Sequence, residues 1–473
     1  MMRPVREVET ADRTRVDSLI PAQLEPASGP LAALRGLLAR PLASYYLLLA
    51  TVGLMVLIGL VMVFSATSLD NYVSRGNAYS SIARQTASAL VGFLAFWVCQ
   101  RLPLRTYRGV AGVALAICFV LVALVDLLSF LSWLKTPAGA AEAVAVSLGP
   151  IRADQLWLYL GPIQLQPSEL AKLAFALWAA DLLARKGAAV ARWRDLAVPL
   201  FPVSGLLFLM VGFHDLGTMV CLLTMFFGML WAAGVRLRVF AAMITAGLMC
   251  VSLLVMAPGK SEYRRERLTT YIDPDSADPH GQAWQAMRGL VALSTGGWFG
   301  VGLGEGRLKW GGIPNGHNDF IFAIIAEELG VVGCLVVLAL FAVFAYTGLR
   351  IARRLPDRFR RLVAAGLTIW LIGQAVINIG GVVGLLPITG LPLPFISDGG
   401  SALVVGLAAA GILTSFARAE PDAARALHAR PPHKWVRLLW APLPPLPPGS
   451  RRVRRAEEAD DQRAPAVGDE RQR

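Results

Sequence analysis

The sequence predicts an all-α, polytopic membrane protein, and two observations carry this prediction. Hydrophobic residues make up 55% of the 473-residue chain, charged residues make up only 16%, and the mean hydropathy is +0.55. Apolar runs of about 20 residues recur along the chain, and a helix of that length crosses a hydrocarbon core of about 30 Å. The composition therefore argues against a soluble multidomain protein.

Ten apolar runs are long enough to be transmembrane helices. Residues 1–43 are polar and mixed in charge, so we expect a flexible cytoplasmic arm there, followed by a ten-helix membrane domain at 44–418. The spans are predicted at about 45–66, 82–100, 109–131, 167–184, 196–212, 216–234, 239–257, 319–348, 362–385 and 399–416.

Basic residues are concentrated in alternate connections, and this asymmetry predicts the orientation. Connections rich in Arg and Lys face the cytoplasm, and here they follow the even-numbered spans. Both termini are therefore expected to be cytoplasmic, and residues 258–318 are expected to form a large extracellular loop between spans seven and eight. The basic residues are Arg101, Arg105, Arg108, Arg185, Lys186, Arg192, Arg194, Arg236, Arg238, Arg350, Arg353, Arg354, Arg358, Arg360 and Arg361.

The net charge of +13 does not predict a nucleic-acid partner, because most basic residues lie in these connections or in the tail at 419–473. Within that cytoplasmic tail, residues 428–440 mix Trp and Leu with Arg and Lys, which is typical of a segment on the inner membrane surface. The Pro-rich, charged residues beyond it predict disorder.

The orientation brings polar residues to the outer face. Even-numbered spans run inward, so their N-termini, with unpaired N–H groups and the positive ends of the helix dipoles, point outward. Such helix starts suit an anion. The unusual polar residues lie at these starts: Arg84, Gln85, Gln166, Ser168, Glu169, Lys172, His214, Asp215, His317, Asn318, Asp319, Ser397, Asp398 and Ser401.

Asp319 is predicted to stand in the first turn of span eight, with Asn318 as its cap. An acid at that position can simply stabilise the helix by a few tenths of a kcal/mol. Small residues on the same face predict close packing that would fix the acid's position, which favours a functional role. These residues are Ala323, Ala326, Gly330 and Gly333.

Other ionisable groups lie deeper in the predicted spans. Glu327 and Glu328 are about two turns below Asp319, where an ionised group is costly unless paired or functional. A structural or proton-buffering role and a catalytic role are both open for them. Lys172 is expected to snorkel toward the outer interface and meet a phosphate, with Glu169 holding it when no ligand is bound.

Six motifs follow one another along the chain: Gly59–Ala66, Arg84–Gln85, Gln166–Lys172, Asp215–Thr218, Asp319–Ala323 and Gly390–Ser397. In this order they resemble the SEDS family of shape, elongation, division and sporulation proteins. The resemblance spans about residues 45–417, and ten spans is the family's number. The extended termini look more like those of the division proteins of high-GC Gram-positive bacteria than those of the elongation proteins.

The resemblance implies a peptidoglycan glycosyltransferase that polymerises lipid II into a growing glycan chain on the outer face of the cytoplasmic membrane, at the division septum. The family's catalytic aspartate falls in the motif His317–Phe320, so Asp319 would deprotonate the acceptor's 4-hydroxyl. That oxygen then displaces undecaprenyl pyrophosphate with inversion. A class B penicillin-binding protein would be the partner, and other division proteins would contact the tails.

The implied site has further members. No cofactor is evident, and a divalent cation is left open. Substrate or pyrophosphate contacts are expected from Lys172, Glu169, Arg84, Ser168, His317, Ser397 and Ser401, with Glu327, Glu328 and Asp215 in support.

The chain also departs from the family pattern near the expected site. The family usually has an acid and a threonine where Asn315 and Asn318 stand, and a tyrosine where Asp398 stands. These changes affect the expected substrate contacts more than the fold.

Two other functions are compatible with the sequence. In a transporter that flips a lipid-linked precursor, Glu327, Glu328 and Asp215 would be the coupling groups. In a non-catalytic division scaffold, the two tails would carry the function. Polar residues at the outer helix ends favour the enzyme, because a transporter site is expected near the membrane midplane.

Overall fold

A computed structural model describes residues 36, 38–135, 147–148, 151–154, 156–161, 163–187, 193–256, 282–307 and 316–446. The chain divides into two compact units at Ala43 and Ser44. In the first unit, the Ala43 N–H donates to Arg40 O (3.1 Å). The predicted loop residues before 282 and the two ends of the chain lie outside the described residues.

The described elements are predominantly helical. In order they are α1 Ala43–Arg75, α2 Ser80–Arg101, α3 Leu104–Lys135, β1 Ser147–Leu148, β2 Ile151–Asp154, β3 Trp157–Leu160, β4 Ile163–Leu165, α4 Pro167–Lys186, α5 Trp193–His214, α6 Leu216–Ala233, α7 Leu237–Met256, α8 Gln282–Thr295, α9 Ile321–Arg354, α10 Arg358–Val382, α11 Gly400–Arg418, α12 Pro421–Ala429 and α13 Lys434–Leu439.

The structure confirms a polytopic helical membrane protein. Within the described ranges, eight helices are long and apolar enough to cross a membrane, and α1–α7 with α9–α11 coincide with the ten predicted spans. Of these ten helices, α4 and α7 are not among the eight, and α7 counts only as a shorter apolar helix over Arg238–Met249. The reason in α4 is its polar content, since Glu169, Lys172 and Asp181 are all buried against other helices rather than facing lipid. The count of ten spans stays a prediction.

Glycines allow two helices of the membrane domain to pack backbone to backbone. A Cβ at Gly411 of α11 would contact the main chain of Phe96 in α2, with Phe96 Cα 2.9 Å away. One at Gly92 of α2 would lie 3.3 Å from Val404 Cα. Small residues of this kind permit the close helix approach that membrane interiors favour.

A small antiparallel sheet, which the sequence did not predict, lies between α3 and α4. Its order is β1-β2-β3-β4, and Arg152 pairs with Tyr159, which in turn pairs with Gln164. Because β4 ends one residue before Gln166, the sheet delivers the chain directly to the start of α4.

Helix α9 is broken at Gly330, where φ is 68° and ψ is −165°. The break interrupts the intrahelical main-chain hydrogen bonds around Gly330. Main-chain groups of the turn after α8 form hydrogen bonds in their place. Val301 N and Gly302 N donate to the carbonyls of Glu327 and Glu328 (2.9 and 3.1 Å). In return, the carbonyls of Gly297 and Trp298 accept from Val331 N and Val332 N (3.0 and 3.2 Å). The broken helix therefore keeps its main-chain groups paired, as a membrane interior demands.

This break corrects the prediction of one continuous stripe of small residues below Asp319. Ala326 and Gly330 do permit close packing, but their neighbour is the glycine-rich segment 296–302. A Cβ at Gly296 would contact the carbonyl group of Ala326, with its carbon 2.8 Å away. The predicted large loop thus contains a helix and a segment that packs against the side of α9.

Ionic contacts lie at the end of the bundle where α9 ends, opposite the 316–320 turn at which it begins. Arg108 of α3 pairs with Asp357 before α10 (3.3 Å), and Arg354 of α9 pairs with Glu420 (3.5 Å). These arginines belong to the set that predicts the cytoplasmic face. Burial raises the pKa of Glu420 above its ordinary value, against the opposing effect of Arg354.

The described part of the tail, which ends at residue 446, contains two helices. Ala423, Ala424 and Leu427 of α12 are buried. The carbonyl of Leu439 in α13 accepts from Trp97 Nε1 of α2 (2.6 Å), while Trp435 is 63% exposed. The predicted location of residues 428–440 on the membrane surface stays a prediction.

Candidate active site at the converging helix starts

The polar helix starts meet around one loop, residues 389–398, between α10 and α11. Gln85 Nε2 of α2 donates to Ser397 O (3.1 Å), and Asp398 N donates to His317 O (3.1 Å). Ser401 Oγ of α11 accepts from Gln166 N at the start of α4 (3.3 Å). At the start of α6, a Cβ on Gly217 would lie 2.7 Å from Thr389 O. The predicted clustering of five helix starts at one end of the bundle is therefore present.

Lys172 is fully buried in α4, with an exposure of 0%. Its Nζ lies 2.8 Å from Glu169 Oε1 and 2.8 Å from Gln374 Oε1, and 5.2 Å from the centre of the Trp370 ring. The predicted contact with Glu169 is present. The predicted snorkelling is wrong, because these partners satisfy the ammonium group inside the protein and no route through lipid is needed.

Asp319 lies in the turn at 316–320 and not in the first turn of the helix, which begins at Ile321. This corrects its predicted position, and Phe320 rather than Asn318 is the N-cap residue of α9. Asn378 Nδ2 of α10 donates to Asp319 O (2.7 Å). The main chain of Asp319 is therefore fixed from a neighbouring helix.

Arg84 forms an ion pair with Asp398, with 3.1 Å between Nη2 and Oδ2. The Arg84 side chain is 55% exposed and that of Asp398 is 6% exposed, so the guanidinium can reach a ligand while it stays paired. Beside them, burial lowers the pKa of His317 below its ordinary 6.5, and Arg84 adds to this effect while Asp398 and Asp70 oppose it. His317 is therefore neutral at pH 7.

Two of the remaining predicted site residues, Ser397 and Asp215, make structural hydrogen bonds. Ser397 Oγ accepts from Leu393 N (2.8 Å) and closes the loop on itself. Asp215 caps α6, since its two carboxylate oxygens accept from Thr218 N and Oγ1 (2.9 and 2.6 Å). Ser168 is buried at the start of α4, and its hydroxyl has no hydrogen-bond partner among the described residues.

Glu327 and Glu328 are both buried, 3% and 0% exposed, and they bind different elements. Glu327 Oε1 accepts from Arg307 N (2.8 Å). Glu328 accepts from Ser65 Oγ of α1 (2.8 and 2.6 Å to its two oxygens). These contacts favour the structural role for both carboxylates: they hold the 296–307 segment and α1 against α9.

The sequence reasoning missed two site residues, Gln374 and Asn378 on α10. They are 3% and 5% exposed, and both contact the 389–398 loop. A narrow cavity runs beside this loop. It is lined by Glu169, Trp370, Leu371, Gln374, Pro392, Leu393, Pro394, Phe395, Ser397, Gly399, Ala402, Leu403 and Gly406. The sequence signal for Gln374 and Asn378 was a pair of polar amides four residues apart in an apolar span.

Two further expectations concern residues and groups that the structure does not place. Asn315, where the sequence departs from the family pattern, lies outside the described residues. Among the side chains that are described, no group of three or more His, Cys, Asp or Glu is arranged to hold a metal ion.

Fold and site together define a polytopic membrane protein with a polar site at one end of its helix bundle, where several helix starts, the Arg84–Asp398 pair and the buried Lys172–Glu169 pair lie near Asp319. The family described as Cell cycle protein, whose model covers FtsW, RodA and SpoVE, matches residues 45–421. The chain belongs to this family, which confirms the SEDS resemblance.

Individual relatives are similar over most of the chain. The "Probable peptidoglycan glycosyltransferase FtsW" of Mycobacterium tuberculosis is 41% identical over 430 residues, which are 90% of this chain and 78% of the relative. "Stage V sporulation protein E" of Bacillus subtilis is 34% identical over 376 residues, 79% of this chain and 96% of the relative.

Solved structures share the fold. A chain in a structure described as "Structural coordination of polymerization and crosslinking by a peptidoglycan synthase complex" matches with a TM-score of 0.58 and 29% identity, over 79% of this chain and 97% of that one. The crystal structure of the Rod shape determining protein RodA of Thermus thermophilus matches with a TM-score of 0.54 and 25% identity, over 79% and 96%.

Proposed function

We propose that this protein is a peptidoglycan glycosyltransferase that polymerises lipid II on the outer face of the cytoplasmic membrane during septal cell-wall synthesis. The observation that carries the proposal is the convergence of five polar helix starts on the 389–398 loop, with Asp319 beside them. The names of the mycobacterial relatives and membership of the family support the reaction class.

Asp319 acts as the general base. Its carboxylate takes the proton of the acceptor's 4-hydroxyl, and that oxygen forms a bond to the anomeric carbon of the donor chain. The bond between the anomeric carbon and the phosphate oxygen breaks with inversion, and its electron pair leaves with undecaprenyl pyrophosphate. The hydrogen bond from Asn378 to Asp319 O holds the main chain of Asp319 in place, which this geometry-dependent step needs.

The pyrophosphate is held at the end of the bundle where the helix starts converge. Arg84 is the group suited to direct contact, because more than half of its side chain is exposed. Lys172 is held by Glu169 while no ligand is bound, and the pyrophosphate competes with Glu169 for it. The inward-running helix starts add N–H groups and dipoles that favour an anion.

The partner is a class B penicillin-binding protein that crosslinks the nascent chain. The similar chain from a peptidoglycan synthase complex that coordinates polymerisation with crosslinking supports this proposal. Location in the cell membrane at the septum, and contacts of the tails with other division proteins, follow from the same proposed role.

The test is polymerisation of purified lipid II by the protein reconstituted in liposomes, with and without the transpeptidase partner. We expect glycan chains with the wild-type protein, none with Asp319→Ala, and wild-type activity with Asp422→Asn, a control at an exposed aspartate of α12. Chain formation by Asp319→Ala would remove the catalytic role. Transfer of labelled lipid II across the bilayer without polymer would favour the transporter, and neither activity would favour the scaffold.

A further inference from the structure

Two amide side chains on α10, Gln374 and Asn378, lie between the groups that the proposed reaction uses. They are four residues apart, so they share one face of the helix. Gln374 Nε2 donates to Pro392 O (2.9 Å), and Asn378 Nδ2 donates to Leu391 O (2.7 Å). Two consecutive carbonyls of the 389–398 loop are therefore held by two successive turns of α10.

The same two amides also contact the ionisable groups of the site. Gln374 Oε1 accepts from Lys172 Nζ (2.8 Å) and from Trp370 Nε1 (3.0 Å). Asn378 Nδ2 uses its second hydrogen on Asp319 O (2.7 Å). Hydrogen bonds and the main chain at 391–392 thus connect Lys172 through Gln374 and Asn378 to the main chain of Asp319.

The orientation of both amides is dictated by their partners. Lys and Trp side chains only donate, so the oxygen of Gln374 must face Lys172 and Trp370. Main-chain carbonyls only accept, so the nitrogen of Asn378 must face Asp319 and Leu391. Neither amide can turn over without placing donors against donors or acceptors against acceptors.

Asn378 keeps these contacts at a cost. Its Oδ1 is buried and has no hydrogen-bond partner among the described residues. A buried acceptor without a partner is unfavourable. An apolar side chain would lose both donated bonds.

We propose that Asn378 and Gln374 are positioning residues with separate tasks: Asn378 fixes Asp319 for proton transfer, and Gln374 fixes Lys172 for binding of the pyrophosphate group. This inference rests on the proposed function. Loss of the two hydrogen bonds donated by Asn378 leaves the substrate contacts in place but increases the mobility of Asp319. This loss therefore lowers kcat. Loss of the Gln374 bonds weakens binding in the ground state, so it raises KM.

The kinetic test compares three variants with wild type in lipid II polymerisation. Asn378→Asp keeps the shape but replaces the donors with a carboxylate that faces two carbonyls, and we expect kcat to fall at least about tenfold with KM nearly unchanged. Gln374→Met is expected to raise KM more than it lowers kcat. Thr368→Val is the matched control on α10, since the buried Thr368 bonds only Ala364 O of its own helix, at 2.7 Å; neither constant should change.

A second measurement is independent of activity. Amide hydrogen exchange of residues 316–320 should accelerate in Asn378→Asp and stay at the wild-type rate in Thr368→Val. If wild-type protein makes polymer and Asn378→Asp retains kcat, or if both amide variants change kcat and KM alike, the separate tasks are refuted. If the wild type makes no polymer, the proposed function fails by itself. Whether or not the wild type makes polymer, an unchanged amide exchange rate of residues 316–320 in Asn378→Asp refutes the positioning of Asp319 by Asn378.

Discussion

The substitution Gly330→Ala tests whether the break in α9 holds the N-terminal end of that helix, and Asp319 before it, in place. Gly330 has φ 68° and ψ −165°, a conformation that is essentially restricted to glycine and costs other residues about 1–3 kcal/mol. The new Cβ would also lie 2.6 Å from the carbonyl of Trp298, so the backbone of the 298–300 turn must move.

The four hydrogen bonds across the break add to this cost. They measure 2.9–3.2 Å, and each contributes about 0.5–1.5 kcal/mol net. Strain plus loss of most of these bonds predicts a destabilisation of at least about 3 kcal/mol. If α9 instead straightens, Val331 N and Val332 N regain intrahelical partners, but the 297–302 segment loses its own and Asp319 moves. Polymerisation falls in either case.

The assay combines thermal unfolding in detergent, followed by tryptophan fluorescence, with lipid II polymerisation. Gly112→Ala in α3 is the control, because a Cβ there meets no atom within 4 Å and the helix tolerates or gains from alanine. Gly330→Ala should melt at a markedly lower temperature and lose activity. Melting and polymerisation equal to those of the control would refute the role given to the break.

Three further outcomes follow from the site. Lys172→Met leaves Glu169 buried without its cation and should destabilise by about 3–5 kcal/mol, and adding Glu169→Gln should recover most of that loss in urea unfolding. Arg84→Met should raise KM for lipid II, because the half-exposed guanidinium is the group suited to direct contact with the pyrophosphate. Since burial lowers the pKa of His317, its contribution to stability is present above pH 6.5 and is lost as pH falls through the lowered value. The melting temperature of wild type should therefore drop more between pH 7.5 and 5 than that of His317→Gln.

Hydropathy and charge were sufficient to predict the architecture of the membrane domain. Apolar runs located α1–α7 and α9–α11, and the spacing of arginines such as Arg108 and Arg354 placed these helix ends at the same end of the bundle, because burial of apolar surface and hydration of charge act locally in a membrane. The small sheet was missed, since β1–β4 are two to four residues long and their pattern is too short to differ from a loop.

Details of the site depend on contacts that are distant in the chain, and the sequence does not reveal these. The break at Gly330 is stable because the 297–302 segment supplies its hydrogen bonds, and nothing local to α9 indicates that segment. Lys172 is buried instead of snorkelling because Gln374, 202 residues away, accepts from it. Glu169 was predicted correctly as a partner because it lies one turn away on the same helix.

The most direct measurement of the central claim is the single-turnover rate of glycan bond formation by Asp319→Asn. This variant keeps the size of the side chain and its place in the 316–320 turn, and it removes the ability to accept the proton. If Asp319 is the base, lipid II should still bind with an affinity near that of wild type, while bond formation falls by at least about a hundredfold, the scale of general-base catalysis. Bond formation at the wild-type rate would contradict the assignment of Asp319 as the base.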